Sequence, residues 1–208
     1  MFRRKAAILA CAMLIGGIYL AGCRRGAPPR VEPPKLDPAA AAAAAMDEYD
    51  TNKDGKLSPE EMRRCPALWS SREHLDPNNQ GVTREMLEKH MRQWVESAAG
   101  SITQLVRVTR RKQPLEGATV TFEPEKFLGS AYESGSGITD KNGVAANITT
   151  PSAKAVNAPG LPPGFYRIKI TKPGENIPAR YNEKTELGAE VSYQAMGVSA
   201  GLDIDLDY

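Results

Sequence analysis

The sequence predicts an α+β protein in two units: a small helical unit over residues 39–100, then an all-β antiparallel sandwich over 101–208. Three observations predict it. Apolar residues recur at helical spacing through Val95 and at alternating spacing from Val106 onward. A loop from Asp50 to Glu61 sets oxygen-bearing side chains around Gly55, the pattern of a cation loop between helices. Clusters of Gly, Pro, Asn and Asp punctuate the second half into short segments. The chain carries 27 Lys+Arg against 25 Asp+Glu, with 41% hydrophobic residues. That is a globular composition, and its near balance gives no electrostatic reason to expect nucleic acid as a partner.

The N-terminal segment reads as an export signal. Arg3, Arg4 and Lys5 precede an apolar run from Ala6 to Leu20, shorter than the roughly 18–20 residues of a stable membrane span. The run ends in Leu20-Ala21-Gly22-Cys23, which resembles the bacterial lipobox at all four positions. The resemblance implies removal of residues 1–22, lipidation of Cys23 and a membrane-anchored lipoprotein of the bacterial cell envelope. The mature chain then holds 24 basic and 25 acidic residues. Of three cysteines, Cys11 is discarded, Cys23 takes lipid and Cys65 alone remains, so no internal disulfide is expected. Residues 23–38 form the lipidated cysteine and a tether, with five prolines after Cys23. Asp37-Pro38 reads as an N-cap with proline at the first helical position, and alanines 39–45 carry the helix to Tyr49.

The strongest chemical signal follows. Asp50, Asn52 and Asp54 place three side-chain oxygens toward one point, and Gly55 permits a sharp turn. The Lys56 carbonyl supplies a backbone ligand, Ser58 holds a bridging water and Glu61 closes the sphere with both oxygens. Leu57 is the apolar residue expected to bridge to a partner loop. This fills the EF-hand pattern, and an all-oxygen set without histidine or thiolate favours Ca2+ over zinc. The partner candidate begins at Asp76, but Leu87 stands at position twelve and Glu85 comes too soon, so that loop is expected to be degenerate. Met62, Cys65, Leu68 and Trp69 form an apolar stripe on short helices broken at Pro66. Met86, Leu87, His90, Met91, Trp94 and Val95 recur along a second helix over 84–97. These methionines and His90 are read as packed core, and His74 as a helix-end cation.

After Ala98-Ala99-Gly100-Ser101 the period changes. Val106/Val108, Val120/Phe122, Val144/Ala146/Ile148, Tyr166/Ile168/Ile170 and Leu202/Ile204/Leu206 read as half-buried strands. Asp140-Lys141-Asn142-Gly143 is a tight turn, and 159–164 and 173–174 are loops. Pro114 to Phe122, then Gly137 to Gly143, then Pro163-Gly164-Phe165-Tyr166-Arg167-Ile168 together resemble the carboxypeptidase regulatory-like, transthyretin-like domain. With the lipobox and the EF-hand loop, the arrangement is similar to a group of exported bacterial lipoproteins. The resemblance implies a non-catalytic β-sandwich, since that domain is an appendage to the zinc peptidase.

Catalytic sets are missing from the sequence: two histidines, no His-Glu-x-x-His pair, no Gly-x-Ser-x-Gly elbow and no phosphate loop. The expectation is a calcium-binding, lipid-anchored, non-enzymatic protein. It meets membrane through lipid at Cys23 and a protein or carbohydrate partner at loops 125–137 or 172–190. The alternative is a calcium-dependent hydrolase or accessory subunit using Glu123, Glu125 or the row Asp203, Asp205, Asp207. A third reading makes the helical unit a sensor that exposes its methionines.

Overall fold

The computed structural model describes residues 30–195 and 201–208. The expected signal segment and the expected lipidation site, Cys23, lie outside the described residues.

The fold is α+β. Helix α1 (Pro38–Tyr49) starts where its sequence dictates: the Asp37 carboxylate accepts from the Ala39 and Ala40 N–H groups at 3.0 and 3.1 Å. The loop that follows holds β1 (Lys56–Leu57) and opens into α2 (Pro59–Met62), α3 (Pro66–Ser70) and α4 (Arg72–Leu75). A second loop holds β2 (Val82–Thr83) and leads into α5 (Arg84–Ser97). Ala98, at φ 49°, closes α5 in the left-handed region. Leu87, Met91 and Trp94 face inward from α5, whereas Met86 and Val95 stand in solvent. Those two lie off the buried stripe because α5 covers the body with one face only.

The second half forms two sheets. One joins β3 (Leu105–Arg110), β4 (Gln113–Pro114), β7 (Val144–Ala145) and β10 (Gly201–Leu206). The other runs β6 (Gly135–Ile138), β5 (Thr119–Pro124), β8 (Gly164–Thr171), β9 (Gly188–Val191). Val106 and Val108, Val120 and Phe122, Tyr166, Ile168 and Ile170, and Ile204 and Leu206 alternate into one buried core. A short helix, α6 (Pro151–Ala155), is capped by the Thr150 hydroxyl.

Two expectations are corrected. The sheets are not wholly antiparallel, because β10 runs parallel to β3 from Gly201↔Leu105 to Leu206↔Arg110. These are the first and last strands of the unit, so no hairpin constrains their direction. The expected strand through Val144, Ala146 and Ile148 stops at Ala145 with its phase reversed: Ala145 is buried and Ala146 exposed. The chain leaves β3 there, and Thr149 bridges to Ser136 and Gly160 instead. The glycine-rich strand β6 gave no alternating apolar signal. Its glycines are required by packing, since a Cβ at Gly135 would lie 2.3 Å from Leu161 and one at Gly137 would lie 2.9 Å from Ile148.

The helical unit lies on the outer face of the β6-β5-β8-β9 sheet. On β8 the side chain of Phe165 points opposite to Tyr166 and is fully buried. It meets Trp94 edge-on at 4.9 Å, stacks on His90 at 6.0 Å and touches Phe127 at 6.0 Å. Gly188 on β9 sits so close to α3 that a Cβ would lie 2.3 Å from the Ala67 nitrogen. The tether is held as well: Leu36 packs on the core, and a Cβ on Gly100 would meet the Val31 carbonyl at 1.7 Å.

Candidate metal centre

The two loops of the helical unit are built alike at their starts. Asp50 accepts from the Asp54 and Gly55 N–H groups at 3.2 and 3.0 Å. Asp76 accepts from those of Gln80 and Gly81 at 2.9 and 2.7 Å. Lys53 and Asn79 both adopt left-handed backbone, at φ 59° and 54°. Gly55 and Gly81 follow at φ 83° and 88°, a region that favours glycine. The loops then pair, Leu57 against Val82 and Lys56 against Thr83, with both apolar side chains fully buried.

They differ at their ends. Ser58 caps α2 and Thr83 caps α5, but the second loop reaches its cap one residue sooner after its glycine. Three residues past the caps stand Glu61 in the first loop and Met86 in the second. The second loop thus lacks a carboxylate where the first has its closing one.

Glu61 is only 5% exposed and spans its loop. One oxygen accepts from the Thr51 N–H and hydroxyl at 2.8 and 3.0 Å and from the Asn52 N–H at 3.3 Å. The other accepts from the Ser58 N–H and hydroxyl, each at 2.9 Å, completing a capping box. The Ser58 backbone donor, the hydroxyls of Ser58 and Thr51 and the Asn52 N–H together pull its pKa down to about 2, against a smaller opposing effect of burial. Asp54 accepts from the Lys56 N–H at 2.9 Å and from the Asn52 amide at 3.0 Å.

The six expected positions thus share one loop but point mostly at its own N–H groups. Among the described residues, no three His, Cys, Asp or Glu side chains already converge as a metal cluster. The donor set itself fits a hard cation: three carboxylates, one amide oxygen, one backbone carbonyl and one hydroxyl.

The carboxylates of the alternative reading are dispersed. Glu123 pairs with Lys169 across β5 and β8 at 2.6 Å. Asp203 faces Arg107 at 3.7 Å, directly opposite in register. Asp205 takes the Thr109 hydroxyl at 2.5 Å and the Lys112 N–H at 2.9 Å, which hold its pKa at about 2. Asp207 takes Arg180 at 2.6 Å and the Tyr181 hydroxyl. Glu125 is the exception: it is 1% exposed, beneath the helical unit. Burial raises its pKa, partly countered by Arg167 at 3.4 Å.

Sequence reasoning also missed Glu190 on β9. It is buried, and one oxygen accepts from Trp94 Nε1 at 3.3 Å and the Ser192 hydroxyl at 2.5 Å, with His90 Nε2 at 2.8 Å. His90 is therefore packed, as expected, yet its polar partner lies 100 residues away. Trp69, expected in the apolar stripe, is only partly buried and has the Arg63 and Arg72 guanidinium groups over its ring at 4.6 and 4.3 Å. The start of the loop at 125–137 is packed, with Phe127 and Leu128 buried and Phe127 edge-on to Tyr49 at 6.3 Å, while residues 129–131 and 133–134 are exposed.

Together the fold and the site define an α+β protein whose paired-loop helical unit is docked on a two-sheet body. The chain matches no family model, no curated protein and no solved structure.

Proposed function

We propose that the protein is a calcium-binding, lipid-anchored, non-enzymatic component of the cell envelope, with an EF-hand unit mounted on a transthyretin-like β-sandwich. One observation carries the calcium reading. The loop from Asp50 to Glu61 holds an all-oxygen donor set on a turn that the second loop repeats, and β1 and β2 pair the two. Calcium occupies the first loop alone, because Met86 replaces the closing carboxylate in the second. When bound, the ion supplies charge neutralisation and fixes the loop; Asp50, Asn52, Asp54, the Lys56 carbonyl, Ser58 and Glu61 are the residues that hold it. A structural role fits better than a sensing one, since Met62 and Met91 are buried in the core and Met86 is already half out in solvent.

Anchoring rests on the lipobox at 20–23. The non-enzymatic reading is supported by the dispersal of the candidate carboxylates into separate ion pairs. A partner surface at the loops is kept for 172–190 and for the exposed part of 125–137 beyond Leu128, since α1 takes up only the start of that loop.

The test uses two glycine amides as reporters in an NMR titration with calcium. The Gly55 resonance is expected to move and saturate, because its N–H bonds to Asp50, while Gly81 stays near its starting position. Movement of neither amide at millimolar calcium would remove the calcium reading. Equal movement of both would remove the single-site reading.

A further inference from the structure

We propose that cation binding at Asp50–Glu61 and docking of the helical unit on the β unit are one coupled equilibrium, with the buried Glu125 carboxylate as the latch between them. The inference rests on the calcium reading above and adds what the ion controls.

The geometry is specific. Tyr49 immediately precedes the first donor, Asp50, and its hydroxyl lies 3.5 Å from Glu125 Oε2. Cys65 follows the last donor, Glu61, by four residues, and its buried thiol lies against the same carboxylate. Both flanks of one loop thus rest on a single side chain of the β unit. Arg167 of β8 approaches the same oxygen, Glu125 Oε2, at 3.4 Å. Glu125 Oε1 and Arg167 Nε find no hydrogen-bond partner among the described residues, so the latch is buried but incompletely satisfied. Immediately beyond Cys65, the Pro66–Ala67 backbone presses on Gly188 with no room for a Cβ.

An ion held by Asp50 and Glu61 fixes the separation of the loop's two ends. That separation sets the spacing of Tyr49 and Cys65, which is what Glu125 reads. Coupling of this kind is reciprocal: a docked unit presents a better ordered loop to calcium, and calcium holds the unit docked. Glu125 is a positioning residue here, since it touches no expected ligand atom.

The experiment is a calcium titration of soluble residues 24–208, beside Glu125→Ala, Gly188→Val and Glu125→Gln. All three leave the loop sequence intact. Glu125→Ala and Gly188→Val are expected to weaken calcium binding by about tenfold. Glu125→Gln keeps an acceptor for Tyr49 and is expected to bind more tightly than Glu125→Ala. Should the variants fold poorly, amide exchange of the unmodified chain gives the reciprocal reading. Calcium is expected to slow exchange at Leu68–Ser71 and Gly188–Val191 as well as in the loop. Variants that bind calcium as tightly as the parent, or protection confined to residues 50–62, would overturn the coupling alone. No binding by the parent chain would overturn the calcium reading and the coupling together.

Discussion

Glu61→Gln tests how much of the loop is built without any ion. The carboxylate accepts five short contacts, three on one oxygen and two on the other. Glutamine keeps one acceptor, so either the Thr51–Asn52 donors or the Ser58 donors face an amide NH2 instead. The depression of the pKa from 4.5 to about 2 corresponds to at most ~3 kcal/mol by linkage. Glu61 is only 5% exposed, but a single thin loop covers it, so solvent screens more than that figure suggests. The expected cost in calcium-free protein is therefore about 2 kcal/mol, the size of a lost cap with charge-assisted bonds. Thermal unfolding in excess chelator at pH 7 should place the variant roughly 4–8 °C below the parent. The pH dependence follows from the sign. A carboxylate whose folded pKa is depressed contributes above its unfolded value of about 4.5 and loses that contribution as pH falls toward 2. The two melting curves should converge across that window. Equal melting at pH 7, or a gap that persists unchanged at pH 2, would refute this account of the loop.

Four other outcomes are expected. Glu125 has a raised folded pKa, so the parent should lose stability as pH rises above about 4.5, and Glu125→Gln should lack that decline; parallel urea midpoints from pH 4 to 8 would contradict it. Gly100→Ala places a methyl group against the Val31 carbonyl and should free residues 31–36, seen as faster proteolysis there while the core stays folded. Cys65 is fully buried with its thiol pKa raised, so a thiol reagent should label it only after denaturant is added. Cys23→Ser should move the protein from the membrane fraction to the soluble one, with intact metal-loop behaviour.

Local order was legible because its causes are local. Asp37-Pro38 announces the start of α1, and Asp50 to Glu61 declares its loop through six chemically constrained positions. The alternation at Val106/Val108 and at Tyr166/Ile168/Ile170 follows from strands with one buried face. What escaped depends on contacts between distant segments. Glu125 and Glu190 belong to a residue type that is rarely buried, and each is buried only because the helical unit covers it. Phe165 falls outside the Tyr166/Ile168/Ile170 alternation, yet it is the anchor on the opposite face. The parallel pairing of β10 with β3 left no trace either, since a strand's pattern records burial and not direction. Strand β6 was hidden because glycine, chosen for close packing, carries no hydrophobic period.

Calorimetric titration of residues 24–208 decides whether the proposed site at Asp50–Glu61 holds one calcium ion. The comparison is with an Asp50→Ala/Glu61→Gln variant, with magnesium as the control ion. One saturable calcium event is expected, with an affinity near 10⁻⁴–10⁻³ M as for extracellular sites, and with complete loss in the variant. No heat at millimolar calcium, or undiminished binding by the variant, would contradict it.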